Sequence, residues 1–211
     1  VTNDLFADTR VDIDAGVVLW RGHALAHEAE LLSAVEAVIA AAPLRRMPTP
    51  GGLTMSVAMT NCGELGWVSD RAGYRYAPLD PLSGQPWPAL PAALVALAAG
   101  AAANSGFPDF APDVCLVNEY TPGARLSLHQ DRDERDFAQP IVSVSLGMSA
   151  TFLLGGLKRN DRTQRIPLHH GDVLVWGGPA RLRHHGVLAL RGETHPVSGP
   201  RRINLTMRHA G

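Results

Sequence analysis

The chain has 211 residues, enough for one domain or for one domain with a small added lobe. Hydrophobic residues make up 45% and charged residues 18%, so a sizeable core can form and wholesale disorder is excluded. The longest apolar run, residues 87–103, is mostly alanine broken by proline and glycine, and it falls short of a membrane span.

Two cysteines, Cys62 and Cys115, make neither a disulfide framework nor a Cys-based zinc site. Residues 1–10 carry Asp4 and Asp8 and no apolar leader, so a reducing, cytoplasmic setting is expected. The net charge of −1 hides an asymmetry. Residues 1–154 hold 9 Lys/Arg against 17 Asp/Glu, a net of −8, and residues 155–211 hold 10 against 3, a net of +7. The basic third suits a polyanion or a small dianionic ligand, with a solvated arginine surface as the plain alternative.

Residues 1–22 read as an extended lead-in with a strand at 17–20. Leu31, Leu32, Val35, Val38, Ile39 and Ala42 recur at helical spacing, which predicts an amphipathic helix over 23–42 that Pro43 stops. Residues 43–90 are rich in Pro, Gly and aromatics, with one strand at 54–59; a long irregular stretch of this kind is usually functional. A second helix is predicted over 91–103, ended by Asn104-Ser105-Gly106 and Pro108. From residue 113 the chain turns to short β-type runs at 114–120, 125–131, 140–146, 150–154, 164–168, 172–176, 183–188 and 201–209. Eight strands at this spacing predict a sandwich or barrel. The reading is a mixed α+β chain, with helices and an irregular segment in residues 1–112 and a β core in residues 113–211.

Three constellations carry chemistry. In Leu128-His129-Gln130-Asp131, residues two apart on a strand share a face, so His129 and Asp131 present an imidazole and a carboxylate together. A third ligand must come from His169, His170, His184, His185, His195 or His209. His185 is favoured over His184 because it lies on a late strand and precedes Gly186, which permits close approach. Two histidines and one carboxylate on one side of a metal form the facial triad of non-heme Fe(II) oxygenases.

Alternation in residues 201–208 separates Arg202, Asn204, Thr206 and Arg208 from Ile203, Leu205 and Met207. If the polar face lines a barrel lumen, two guanidiniums can each hold a carboxylate; the plain alternative is a face turned to water. In residues 114–120, Asn118 and Tyr120 fall on the apolar side of a strand, where buried polar groups need partners.

These constellations, in this order, resemble the Fe(II)/2-oxoglutarate-dependent dioxygenases, most closely the AlkB family of nucleic-acid demethylases. The stretch from Pro48-Thr49-Pro50-Gly51-Gly52-Leu53 to Thr60-Asn61-Cys62-Gly63 is similar to the substrate lid of the bacterial members, and Gly155-Gly156-Leu157-Lys158-Arg159-Asn160-Asp161 adds to the match. The resemblance runs from about residue 15 to the end. It departs from the bacterial pattern at Glu119, where an arginine is common, and at aliphatic Ile203.

The resemblance implies a double-stranded β-helix (jelly roll) with N-terminal helices and a nucleotide-recognition lid. It implies Fe(II) at His129, Asp131 and His185, and 2-oxoglutarate at Asn118, Tyr120, Arg202, Asn204 and Arg208, with Arg202 at the distal carboxylate. Substrate contacts are implied at Trp67, Tyr74, Tyr76, Asp133, Arg159 and Met59, with Trp67 stacking on the base and Asp133 meeting its positive charge. Arg45, Arg46, Arg71 and Arg75 are candidates for phosphate contacts. The implied reaction uses O2 to demethylate 1-methyladenine and 3-methylcytosine in single-stranded DNA or RNA, releasing formaldehyde, succinate and CO2. The expected protein is a monomer that does not engage membranes. The alternatives are an oxygenase of the same type acting on methylated tRNA, lipid or protein, and a jelly-roll module that binds a metal or anion without turnover.

Overall fold

A computed structural model describes residues 9–211; the sequence reading of residues 1–8 lies outside them. In chain order the elements are β1 (Thr9–Asp14), β2 (Val17–Arg21), α1 (Glu28–Ala41), β3 (Ala58–Gly63), β4 (Gly66–Asp70), β5 (Gly73–Ala77) and α2 (Ala92–Asn104). They continue with β6 (Val114–Tyr120), β7 (Leu126–His129), β8 (Ile141–Gly147), β9 (Ala150–Leu154), β10 (Gln164–Leu168), β11 (Val173–Trp176), β12 (His185–Val187) and β13 (Arg202–Arg208).

Two sheets face each other across a closed interior. The larger has the order β1-β2-β11-β8-β13-β6-β3 and the smaller the order β10-β9-β12-β7, a jelly-roll arrangement. Three strands from before residue 113 complete one side or the other of the larger sheet, so the N-terminal half supplies sheet as well as helices. Strands β4 and β5 form a separate hairpin inside the segment that reads as irregular.

The alternation of each strand decides which core it serves. Ile203, Leu205 and Met207 of β13 join Val142, Val144, Val173 and Val175 on the outer face of the larger sheet. There Leu31, Val35 and Val38 of α1 and Leu94, Leu97 and Ala101 of α2 cover them. Burying each such leucine or isoleucine contributes roughly 1.5–3 kcal/mol. The inner faces of the two sheets meet through Leu19, Tyr120, Ile141, Phe152, Leu154, Leu174 and Trp176.

Strand β13 is therefore buried on both faces, and Arg202, Asn204, Thr206 and Arg208 lie inside the roll, not in water. The lumen reading of that polar face holds because both flanks are occupied: β13 pairs with β6 on one side and β8 on the other.

Two strands near the site differ from the sequence expectation. The strand expected at 54–59 starts later, at Ala58, and runs through Thr60, Asn61 and Cys62, a polar-looking run that is nonetheless buried against β6. Thr54 makes only an isolated bridge to Pro48. Strand β7 stops at His129, so Asp131 lies beyond its end.

In the smaller sheet, Gly186 of β12 sits so close to β7 that a Cβ there would come within 2.7 Å of the Leu126 carbonyl oxygen. Backbone must move to admit it. Gly186→Ala is expected to destabilise the fold by about 1–3 kcal/mol, the range for overpacking. A thermal melt should fall by roughly 2–10 °C for a chain of this size.

Candidate metal and cosubstrate site

The smaller sheet lines up Gln164, Leu154, His185 and His129 across its four strands. The register makes His129 and His185 direct neighbours, with ring centroids 4.4 Å apart. Asp131 reaches the same point from the loop after β7. Its Oδ1 lies 3.5 Å from His129 Nε2 and its Oδ2 3.5 Å from His185 Nε2. The three donor atoms fall within 4.8 Å of one another, the one such group of three or more among the described residues.

Strand alternation does not hold Asp131; its loop is tied down instead. Arg181 donates to the Asp131 carbonyl at 2.7 Å, and the Gln130 amide donates to the Leu182 carbonyl at 2.6 Å.

The tautomers are fixed by partners that only accept. His129 Nδ1 faces the Ser127 carbonyl at 2.9 Å and His185 Nδ1 faces the Arg183 carbonyl at 3.0 Å, so in the neutral rings each Nδ1 carries the proton and each Nε2 keeps its lone pair. Phe152 lies nearly parallel to the His185 ring and Trp176 meets it edge-on, which fixes its plane.

Burial pushes the Asp131 carboxyl up, but the Arg208 guanidinium and the two imidazoles outweigh it and hold the group well below the usual carboxylate range. Burial and the neighbouring His129 push His185 down, toward the neutral form that binds metal. Burial also works to lower His129, but its hydrogen bond to Asp131 prevails and raises it.

Inside the roll, a second group of side chains has donors without acceptors. Arg202 gives one Nη to Ser145 Oγ at 2.9 Å and lies 5.0 Å from the Tyr120 ring centroid. Its Nε and other Nη, together with the Tyr120 hydroxyl, are buried without partners. Asn118 Oδ1 and one Nη of Arg208 are in the same condition. A buried guanidinium with no carboxylate beside it is costly unless an anion enters. The donor set therefore fits a small dicarboxylate with one end at Arg202 and Tyr120. Asn204 bonds to Ser143 Oγ and the Val144 carbonyl and accepts from Thr206, so it orders the lumen through internal contacts.

Arg208 is differently placed. It donates two bonds to Asp131 Oδ2, at 2.6 and 3.0 Å, and reaches Glu134 at 3.3 Å. Glu134 also pairs with Arg181 at 3.1 Å and accepts from Tyr76 at 2.7 Å. This buried carboxylate was not singled out by sequence reasoning, nor were Phe152, Trp176, Ser143 or Ser145. Ser143 and Ser145 did leave a signal, two hydroxyls sharing one face of an otherwise apolar strand.

On the lid side, Trp67 of β4 and Tyr76 of β5 sit directly opposite each other, and Tyr74 stacks on Trp67 at 5.4 Å and 14°. Trp67 Nε1 donates to Asp133 at 2.8 Å. Arg159 is exposed on the turn after β9, whereas Met59 is buried in the roll interior opposite Asn118. Of the lid arginines, Arg45 pairs with Asp80 at 2.7 Å over the Trp87 ring, and Arg75 forks onto Asp70, so both serve the lid's own structure. Arg46 donates to the Ser56 carbonyl, and Arg71 is exposed. His170 and His195 pair with each other at 4.3 Å, His169 bonds Ser149 and His209 the Ala111 carbonyl, so none of the four joins the cluster. The backbone of His184 bonds Gly155 and Gly156, and its ring is not part of the cluster either.

A family model described as the 2OG-Fe(II) oxygenase superfamily matches residues 17–208. The alpha-ketoglutarate-dependent dioxygenase AlkB of Escherichia coli is 52% identical over 211 residues, covering 99% of this chain and 98% of that one. The human nucleic acid dioxygenase ALKBH1 is 36% identical over 125 residues, covering 59% of this chain and 32% of its own. The solved structure of OsALKBH1 superposes with a TM-score of 0.83 at 27% identity, covering 95% of this chain and 100% of that one.

Removing Glu134 strips two buried guanidiniums of a shared counter-charge. Glu134→Ala is expected to lower the unfolding free energy by about 3–5 kcal/mol, the range for breaking a buried pair. Urea unfolding should show the midpoint moving down at unchanged slope.

Proposed function

The chain belongs to the 2OG-Fe(II) oxygenase superfamily, and we propose that it removes N-methyl groups from 1-methyladenine and 3-methylcytosine in single-stranded DNA and RNA. It is a 2-oxoglutarate-dependent dioxygenase that uses Fe(II), 2-oxoglutarate and O2. The observation that carries the reading is the pairing of a facial triad with a buried, anion-starved lumen one strand layer away. The nucleic-acid substrate is supported by the names of the similar proteins, AlkB dioxygenase and nucleic acid dioxygenase.

His129, Asp131 and His185 would hold the metal through Nε2, a carboxylate oxygen and Nε2. The bound Fe(II), with 2-oxoglutarate and O2, supplies the oxidising power that no side chain has, one oxygen atom going to succinate and the other to the methyl carbon. The resulting N-hydroxymethyl group leaves as formaldehyde and restores the base.

The side chains bind and orient. Arg202 and the Tyr120 hydroxyl grip the distal carboxylate, and the free Nη of Arg208 faces the end nearer the metal. Asn118 adds a polar contact in the same lumen, and Asn204 keeps it in register. Trp67, backed by Tyr74, gives the extruded base a flat surface. Asp133 anchors Trp67 and places a negative charge beside a base that N-methylation has made cationic. Tyr76, Met59 and Arg159 complete the substrate side, with the Pro-Gly-rich segment of residues 43–90 acting as the lid.

The decisive experiment measures succinate and formaldehyde with and without methylated single-stranded oligonucleotide. Substrate-stimulated succinate with matching formaldehyde is expected. Succinate that no methylated nucleic acid stimulates would move the substrate to another class, and no succinate at all would leave a binding module. His129→Ala should abolish turnover. Trp67→Ala should mainly raise KM for oligonucleotide, and Arg202→Ala should raise KM for 2-oxoglutarate by at least tenfold, as expected for loss of a charge-assisted bidentate contact.

A further inference from the structure

The ten cations of residues 155–211 are unevenly committed. Arg202 and Arg208 lie in the lumen, and Arg181 and Arg201 are in ion pairs. Arg162 and Arg165 are exposed, and among the described residues neither has an acidic partner. Both line a groove of about 420 Å³ with Thr163, Gln164 and Arg183. Arg183 forms a fixed wall: its Nε donates to the Gly155 carbonyl at 2.5 Å and one Nη to Asp14 at 2.7 Å. Asp161, the nearest acid in sequence, folds back and accepts from the Lys158 N–H at 2.9 Å.

The groove is tied to the metal site by sheet register. Gln164 pairs with Leu154, which pairs with His185, so two strand spacings of about 4.8 Å put the backbone of the groove's edge strand about 10 Å from that of His185, while Arg165, in line with Leu153 and Gly186, projects from the other face of the sheet. Arg183 joins the two directly, because its carbonyl accepts the Nδ1 proton of His185 while its guanidinium faces the groove. Strand β10 is the edge of its sheet, and Arg162, Gln164 and Arg165 are exposed among the described residues.

We propose that this groove binds the backbone phosphates of the substrate strand beside the base held at the metal. The proposal rests on the nucleic-acid reading above and names a surface outside the lid for it. Two unpaired guanidiniums, a hydroxyl and an amide are the donor types that hold phosphates without reading sequence. At about 3.4 Å per nucleotide in a stacked strand, 10 Å corresponds to about three nucleotides. The contact is therefore with phosphates up to about three positions from the target, on one side only. It requires an oligonucleotide, so a free nucleoside or a trinucleotide gains little from it.

The test compares the wild-type chain with the double variant Arg162→Ala/Arg165→Ala, both side chains being exposed, in fluorescence-anisotropy titrations against salt. The probes are a methylated single-stranded 15-mer and a methylated trinucleotide. For the 15-mer, Kd should rise by about tenfold and the slope of log Kd against log salt should flatten by about 1.4, the loss of two single-strand phosphate contacts. Trinucleotide binding should not change. Replacing phosphates one at a time with neutral methylphosphonates should erase the difference between wild type and variant at one to three adjacent positions on one side of the lesion.

An unchanged 15-mer Kd and salt slope, in a chain that still demethylates the 15-mer, would overturn the groove and leave the proposed activity standing. Equal weakening on the trinucleotide would overturn it too, because the effect would then not come from flanking phosphates. A wild-type chain that binds no oligonucleotide would remove both proposals.

Discussion

Two guanidinium groups buried inside a β-roll set the terms for the rest of this structure. A charge taken out of water must be matched within the fold or by something that enters it. Arg208 is matched internally by Asp131 and Glu134. Arg202 has a hydroxyl, an aromatic face and no carboxylate. Burial pushes Arg202 below its ordinary pKa and Tyr120 above it, against their mutual attraction. The same strand thus carries one arginine that is part of the protein's own frame and one whose buried donors have no partner in it. That division gives the two ends of the lumen different chemistry before any ligand is considered.

The matched end extends outward. Glu134 holds Arg208 and Arg181 and also accepts the Tyr76 hydroxyl, while Asp133, one residue away, accepts from Trp67. Burial first, then the Glu134 and Asp131 charges, raise Tyr76 well above its ordinary value against the opposing pull of Arg208, so its hydroxyl stays a donor. The loop carrying the Asp131 ligand is consequently also the loop on which the β4–β5 hairpin rests. The hairpin and the Asp131 carboxylate are thus held by the same few hydrogen bonds and ion pairs.

Much of this was legible in the sequence, and the exceptions have physical reasons. His129, Asp131 and His185 came from spacing and chemistry, yet the argument for Asp131 assumed a strand that ends two residues too early; loop anchoring by Arg181 delivers the same convergence by another route. Residues 202–208 were readable because strict alternation survives in a strand buried on both faces. The β4–β5 hairpin was not, since Trp67, Tyr74 and Tyr76 alternate with Gly, Ser and Arg in short runs without a clear apolar face. Glu134 was hidden because it lies among Asp133, Arg135 and Asp136 in a charged stretch that looks solvated, and only tertiary contact with two arginines buries it.

Charge asymmetry between the two parts of the chain shows how little a net total says about function. The same excess of arginine divides into three populations that do different work. The lumen pair lies buried inside the roll, and Arg181, Arg183 and Arg201 hold loops, a helix and a strand through Glu134, Asp14, Glu36 and Glu119. Of the remainder, Lys158, Arg159, Arg162 and Arg165 lie on the turn and edge strand after β9, where among the described residues no acid answers Arg162 or Arg165, and Arg191 lies after β12. Strand β10, which carries Arg165, pairs with β9, and β9 pairs in turn with the strand that starts with His185. The enclosed polar lumen lies on β13 and β6 of the larger sheet, whereas the open arginine-lined groove lies on β10 at the edge of the smaller one.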